Sequence, residues 1–124
     1  MGHLMIGGYD PVEFLADARD RIAHVHLKDV HLDLAAPVLR GEQSIMQGVQ
    51  NGMFCPMGDG DVPVAEVVTE LERSGYDGWY VLEQDAAITD GEPAPGEGPK
   101  VDVLRSIEYL RAINAEFTAG QKAS

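Results

Sequence analysis

The sequence predicts an α/β protein built from parallel βα units. Three observations point there. Amphipathic helical stretches alternate with short β-rich stretches in the order helix, strand, helix, strand, helix. Both strand stretches end in ionisable residues, His26-Leu27-Lys28-Asp29 and Glu83-Gln84-Asp85. The first strand alternates between apolar and polar residues, as a strand does with helices on one side and a lined interior on the other.

The first helix starts at Asp10-Pro11-Val12-Glu13 and runs to about residue 20. Asp10 suits the cap, Pro11 the first turn, and Glu13 can reach back as in a capping box. Val12, Phe14, Leu15 and Ala18 are its residues for burial. Residues 21–30 read as a strand. Period-2 geometry groups Ile22, His24, His26 and Lys28 on one face, and Ala23, Val25 and Leu27 on the other. Residues 31–60 read as an irregular, glycine-rich loop, and a loop of that length is usually functional or disordered. A second helix covers about residues 62–73, with Val64, Val67, Val68 and Leu71 at helical spacing and Ser74-Gly75 as its stop. The second strand is residues 78–83, with Trp79, Val81 and Glu83 on one face and Tyr80 and Leu82 on the other. Residues 89–100 hold a proline- and glycine-rich loop. The last helix is residues 101–117, with Val103, Leu104, Ile107, Leu110 and Ile113 as its apolar stripe. The domain therefore spans residues 1–117, and residues 118–124 form a flexible tail.

The chain has 124 residues, of which 21 are acidic and 9 basic, for a formal net charge of -12. That balance opposes binding to nucleic acid or to an anionic membrane, both of which need Lys and Arg. It suits a small neutral substrate and a divalent cation. The single cysteine, Cys55, forbids an intrachain disulfide and fits a reduced, cytoplasmic protein. No apolar run approaches the roughly 20 residues of a membrane span, and the N-terminus does not read as a signal peptide.

His24 and His26, joined at the strand ends by Lys28 and Glu83, could hold a metal, since imidazole and carboxylate together suit zinc, manganese, cobalt or iron. The competing reading is a pair of satisfied histidines beside a structural ion pair from Lys28 to a glutamate. Glu83 is either a solvated strand-end carboxylate or part of a site, because the carboxyl ends of barrel strands build the active sites of that architecture. Gly58-Asp59-Gly60 is either a substrate or anion loop or a plain turn. Cys55 has no matched base in the sequence and reads as a buried thiol.

Gly2-His3, Gly7-Gly8, Asp10-Pro11, residues 21–30, Phe54, Gly58-Asp59-Gly60, Gly75-Tyr76-Asp77-Gly78-Trp79 and Glu83-Gln84-Asp85 together resemble the C-terminal part of the xylose isomerase-like barrel superfamily. The likeness is strongest to its branch of inosose dehydratases and related sugar or inositol isomerases, over about residues 2–115. The resemblance implies a partial (β/α)8 TIM barrel: the last two βα units plus a preceding helix. A complete barrel takes roughly 250 residues, so the remaining strands would come from a homo-oligomer or from a missing N-terminal barrel half. It also implies one divalent ion, manganese or cobalt with magnesium or zinc as alternatives, held by Glu, Asp, His and Glu from the last four strands. His26 then matches the metal histidine and Glu83 the final metal carboxylate. Glu83 and Lys28 are the implied catalytic groups, and His3 and Lys28 the implied contacts to a sugar or inosose. In the family the metal polarises a ketone oxygen while a carboxylate moves a proton on the adjacent carbon.

One departure carries weight. The family pattern has Asp-x-Gly-His where this sequence opens Met1-Gly2-His3, which puts the metal Asp and the earlier metal Glu outside these residues. The expectation is that the chain alone is weakly active or inactive. It would then be a natural truncation, the product of a misassigned start, or one piece of a split enzyme. The rival expectations are a non-catalytic oligomerising remnant and a metal-binding module.

Overall fold

The computed structural model describes residues 1–89 and 91–122. A short helix, α1 (Gly2–Ile6), leads to α2 (Pro11–Ala18). The carboxylate of Asp10 accepts the N–H groups of Val12 and Glu13, and Pro11 takes the first helical position, so the predicted start stands. Helix α2 buries Pro11 and Leu15, whereas Phe14, expected in the core, remains exposed. A 3₁₀ turn (Arg19–Arg21) passes the chain to strand β1 (His24–Leu27), on which Val25 and Leu27 are buried and His24 and His26 exposed. The alternation read from the sequence is therefore real, but the strand is shorter than residues 21–30.

It is shorter because the backbone breaks after Leu27. Asp29–Val30 forms a separate strand, β2, and Lys28 lies between the two. The stretch expected to be irregular then builds two helices, α3 (Leu32–Leu39) and α4 (Ile45–Gln50), and strand β3 (Phe54–Cys55), which pairs antiparallel with β2. The α4 start has a local cause. Ser44 accepts the Gln47 N–H, and the Gln47 side chain accepts the Ser44 N–H, a complete capping box. The N-terminus of α3 is served from a distance, by the Asp61 carboxylate on the Leu32 N–H at 2.7 Å.

Helix α5 (Val64–Arg73) buries Val64, Val67, Val68 and Leu71 and stops at Ser74, with Gly75 at φ +77° just beyond. Strand β4 (Trp79–Leu82) runs parallel to β1, with His24 opposite Trp79, His26 opposite Val81 and Leu27 opposite Leu82. The last helix, α6 (Pro99–Lys122), starts earlier and ends later than residues 101–117. Residues 118–122 of the expected tail are helical, and residues 123 and 124 lie outside the described residues, as does residue 90 of the preceding loop. Of the stripe predicted for α6, Ile113 is buried and Leu104 is exposed. Among the described residues no helix is long and apolar enough to cross a membrane.

The core lies behind β1 and β4, where Val25 and Leu27 meet Leu15, Val64, Val67, Leu71 and Ile113. Each such side chain contributes about 1.5–3 kcal/mol relative to an exposed one. Beside this core sits a buried charge. The Asp29 carboxylate accepts four backbone N–H groups. Val30 and Val62 donate to Oδ1 at 2.9 and 3.0 Å, and Gly58 and Gly60 donate to Oδ2 at 2.9 and 3.0 Å. The Gly58-Asp59-Gly60 segment thus wraps a buried carboxylate, which is a structural role. A Cβ on Gly60 would collide with Asp29 Oδ1 and the Val30 carbonyl, and Gly58 sits at φ +89°. Ser106 of α6 fastens the same loop by accepting the Met57 N–H at 3.0 Å.

Replacing Asp29 by Ala leaves those four donors without their acceptor. The expected loss in urea unfolding is about 3–5 kcal/mol. Asp59→Ala breaks only the exposed pair with Arg105 and should cost under about 1 kcal/mol. Equal losses for the two variants would show that the Asp29 carboxylate does not organise this loop.

Candidate functional site

The parallel register delivers the chemistry. Beyond the paired residues Leu27 and Leu82, the Glu83 N–H donates to the Leu27 carbonyl at 3.0 Å, so the ladder continues and Lys28 and Glu83 leave the sheet side by side. His26 Nδ1 lies 3.0 Å from Glu83 Oε2. The other oxygen, Oε1, accepts from Lys28 Nζ at 2.7 Å. Lys28 Nζ also donates to Asp85 Oδ2 at 2.6 Å and to His3 Nε2 at 3.2 Å, and it stands 4.3 Å from the centre of the Phe54 ring. His24 packs on His26, ring centres 5.2 Å apart, without entering this network.

Each component has an origin in the chain. His3 reaches the rim because α1 lies against Lys28, and that approach needs Gly2: a Cβ there would stand 2.9 Å from the Lys28 carbonyl oxygen and 3.2 Å from Lys28 Cγ. Phe54 is placed by the β2–β3 pairing and meets the His3 ring edge-on at 5.4 Å. Asp85 stands two residues past Glu83, at the same rim.

The protonation of the cluster follows from counting donors. An ammonium has three N–H bonds and no acceptor. Those of Lys28 point to Glu83, Asp85 and His3 Nε2, a set that a neutral His3 ring completes when its own proton is on Nδ1. The Lys28 bond, with a smaller contribution from His26, holds the Glu83 carboxyl below the ordinary glutamate range against partial desolvation. Glu83 is thus an ionised carboxylate at neutral pH.

Of the residues expected at the site from sequence, His3, His26, Lys28 and Glu83 come together, whereas His24 only packs its ring on His26. Lys28 does so in an unexpected state. Its side chain is 1% exposed and has no N–H left for a substrate. The sequence reading gave Asp85 no role; its spacing from Glu83 was the available signal. The donors fit a divalent cation in type. His3, Glu83 and Asp85 each offer a ligand atom, and these atoms all lie within 4.8 Å of one another, with His26 bonded to Glu83 alongside. A cavity of about 390 Å³ opens next to His3, walled by Ile6, Val38, Leu39, Ile45 and Phe54. Its outer wall is α3 and α4, which the sequence reading took for loop.

Cys55 stands apart from this chemistry. Its thiol is buried, and burial, aided by the negative charges of Asp29, Asp59 and Asp61, pushes its pKa up to about 12. It is a structural thiol rather than a nucleophile.

A family model described as xylose isomerase-like TIM barrel matches residues 1–113. The chain is 42% identical over 112 residues to an inosose dehydratase of Bacillus thuringiensis (strain Al Hakam), a match covering 89% of this chain and 35% of that protein. It is 41% identical over 112 residues to an inosose dehydratase of Geobacillus thermodenitrificans (strain NG80-2), with the same coverage. It is 38% identical over 111 residues to one of Lacticaseibacillus casei, covering 90% of this chain and 35% of that one. The chain spans about a third of the length of the curated relatives it matches.

The state of Cys55 is testable by alkylation. At pH 8.5 the native protein should react with iodoacetamide roughly 10³-fold more slowly than the urea-unfolded chain, since only the thiolate attacks. Equal rates would show that the thiol is accessible and ordinary.

Proposed function

The chain belongs to the xylose isomerase-like TIM barrel family, and on that footing we propose that it is the C-terminal part of a metal-dependent dehydratase or isomerase acting on an inosose or a related sugar. One observation carries the reading. Adjacent parallel strands set His26 and Glu83 in contact at their carboxyl rim, Nδ1 to Oε2 3.0 Å, with His3, Lys28 and Asp85 converging on the same spot. Relatives named inosose dehydratase support the reaction class.

His26 and Glu83 are the proposed ligands of one divalent cation, manganese or cobalt by preference. When bound, such an ion supplies Lewis acidity to a ketone oxygen. The rest falls to side chains. Glu83, ionised at neutral pH, takes the proton from the carbon beside the ketone. His3 presents its Nδ1–H to a substrate hydroxyl from the edge of the cavity that the ring of the substrate enters. Lys28 serves the substrate side once it gives up part of its present bonding. In a dehydratase the proton loss is followed by expulsion of the neighbouring hydroxyl; in an isomerase the proton is returned.

In this reading the remainder of the barrel comes from further polypeptide or from a second copy. Parallel strands are normally covered on both faces and on both edges. Here Trp79 on β4 is 75% exposed. On the outer edge of β1 the Met1 amino group donates to the His26 carbonyl at 2.8 Å. Beside that edge runs a groove lined by Phe14, Leu15, Ile22, Val25 and Val67. The matched share of the relatives favours keeping a second reading, a non-catalytic remnant or metal-binding module that assembles through these edges.

With an inosose and added manganese, the purified chain alone should show little or no dehydration. A chain extended at its N-terminus by the family's preceding strands should turn substrate over, and Glu83→Gln in that extended chain should lower kcat by at least about 10³-fold. An extended, folded chain that is inactive with every inosose and sugar ketone tried would overturn the enzymatic reading. Full activity of the short chain would overturn the need for completion.

A further inference from the structure

We propose that Gln43 recognises a substrate hydroxyl from the wall of the cavity that His3 borders, a specificity role that rests on the dehydratase or isomerase reading above. The cavity of about 390 Å³ has two polar side chains in its lining, His3 and Gln43. The rest of the lining is apolar, with Met53 beside the walls already described. Small-molecule sites are built this way. Apolar walls supply contact area, and a few fixed polar groups decide which ligand fits.

Gln43 is fixed on both sides. It stands half-buried in the connection between α3 and α4. Before it, the Glu42 N–H donates to the Pro37 carbonyl at 2.9 Å; after it, the Ser44 N–H donates to the Gln47 side chain at 2.8 Å. The side chain is held as well. Gln43 Oε1 accepts from Asn51 Nδ2 at 3.2 Å, across the length of α4. A primary amide has an acceptor end and a donor end. Asn51 takes the acceptor end, and among the described residues nothing accepts from the donor end. Gln43 is therefore an oriented amide with its N–H bonds left for a ligand.

The group that Gln43 meets is uncharged. Among the described residues no lysine or arginine lines the cavity. Arg40, in the same connection, is forked onto Glu42 through Nε and Nη2 at 2.7 and 2.8 Å. The N–H bonds of Lys28 point to Glu83, Asp85 and His3. A phosphate or carboxylate would find no unpaired cation in this wall, and burying such a charge without one is costly. A hydroxyl oxygen needs only an N–H. A ring with apolar faces and hydroxyls around its edge, such as a cyclitol ketone or an unphosphorylated sugar, matches the lining. Glu83 and His26 lie outside that lining. Gln43 thus holds a part of the ring away from the proton transfer, and it acts on binding.

The test uses the chain extended at its N-terminus, where turnover is read. Gln43→Met should raise KM for the inosose roughly tenfold and leave kcat within about threefold, the mark of a contact made equally in the ground and transition states. Asn51→Ala breaks the same Asn51–Gln43 bond but keeps the amide donor, so it should change KM by less than about threefold. Circular dichroism checks the folding of both variants. Among inososes lacking one hydroxyl, one should give the same KM with wild type and Gln43→Met, because Gln43 then has nothing to donate to. An unchanged KM in Gln43→Met, or equal rises in Gln43→Met and Asn51→Ala, overturns the contact and leaves the reaction class intact. An extended wild-type chain without activity overturns the reaction class and the contact together. If Gln43→Met does not fold, the wild-type extended chain decides. Its Gln43 side-chain N–H resonances should move as myo-inositol is added. Resonances that stay fixed at a myo-inositol concentration that inhibits turnover overturn the proposal.

Discussion

The rest of the structure depends on one buried carboxylate. Asp29 is fully buried, and its two oxygens accept four backbone N–H groups, three of them from residues 58–62. An ionised group survives away from water only when its lone pairs are used, and here the chain itself supplies the donors. The arrangement decides three things together. It ends the long strand predicted for residues 21–30, because Asp29 and Val30 turn to pair with β3. It shapes the loop that leads into α5. Through Asp61 it also connects to the start of α3, since the Asp61 N–H donates to the Val30 carbonyl while its carboxylate caps Leu32.

The neighbouring residue inverts the charge and the environment. Lys28 and Asp29 are consecutive, and both are buried, yet they serve separate networks. Lys28 goes to the rim with Glu83, Asp85 and His3; Asp29 goes to the loop. Breaking the strand between Leu27 and Asp29 is what allows both. In an unbroken strand the two would simply alternate across the sheet. The structural lock and the candidate chemistry are thus one residue apart, and the position of Lys28 is fixed on one side by the ladder and on the other by Asp29. Phe54 links them again, since the strand that pairs with β2 carries the ring under the ammonium.

Much of the scaffold was legible because its signals are local. The Asp10 cap, the stripe of Val64, Val67, Val68 and Leu71, the Gly75 stop and the alternation of Val25 and Leu27 each lie within a few residues of chain. The two helices between residues 31 and 50 were missed, although Ser44 and Gln47 spell a capping box. They are short, Pro37 lies inside α3, and the glycines around them dominate any reading by composition. The over-long strand and the early end of α6 at residue 117 have a related cause. A run of suitable residues says where an element is possible, while its ends are decided by what it packs against.

By itself, the sequence determined that two parallel strands carry His26, Lys28 and Glu83 to a common rim. Period-2 and helical patterns are properties of consecutive residues, and the strand ends can be read from them. Only the tertiary structure decided that Asp85 and His3 join Lys28, that Lys28 is buried with every N–H engaged, and that Gly58-Asp59-Gly60 wraps a carboxylate. Those contacts join residues 25 to 57 positions apart. They depend on a missing Cβ at Gly2 and at Gly60 and on where α1 comes to rest, which no pattern along the chain records.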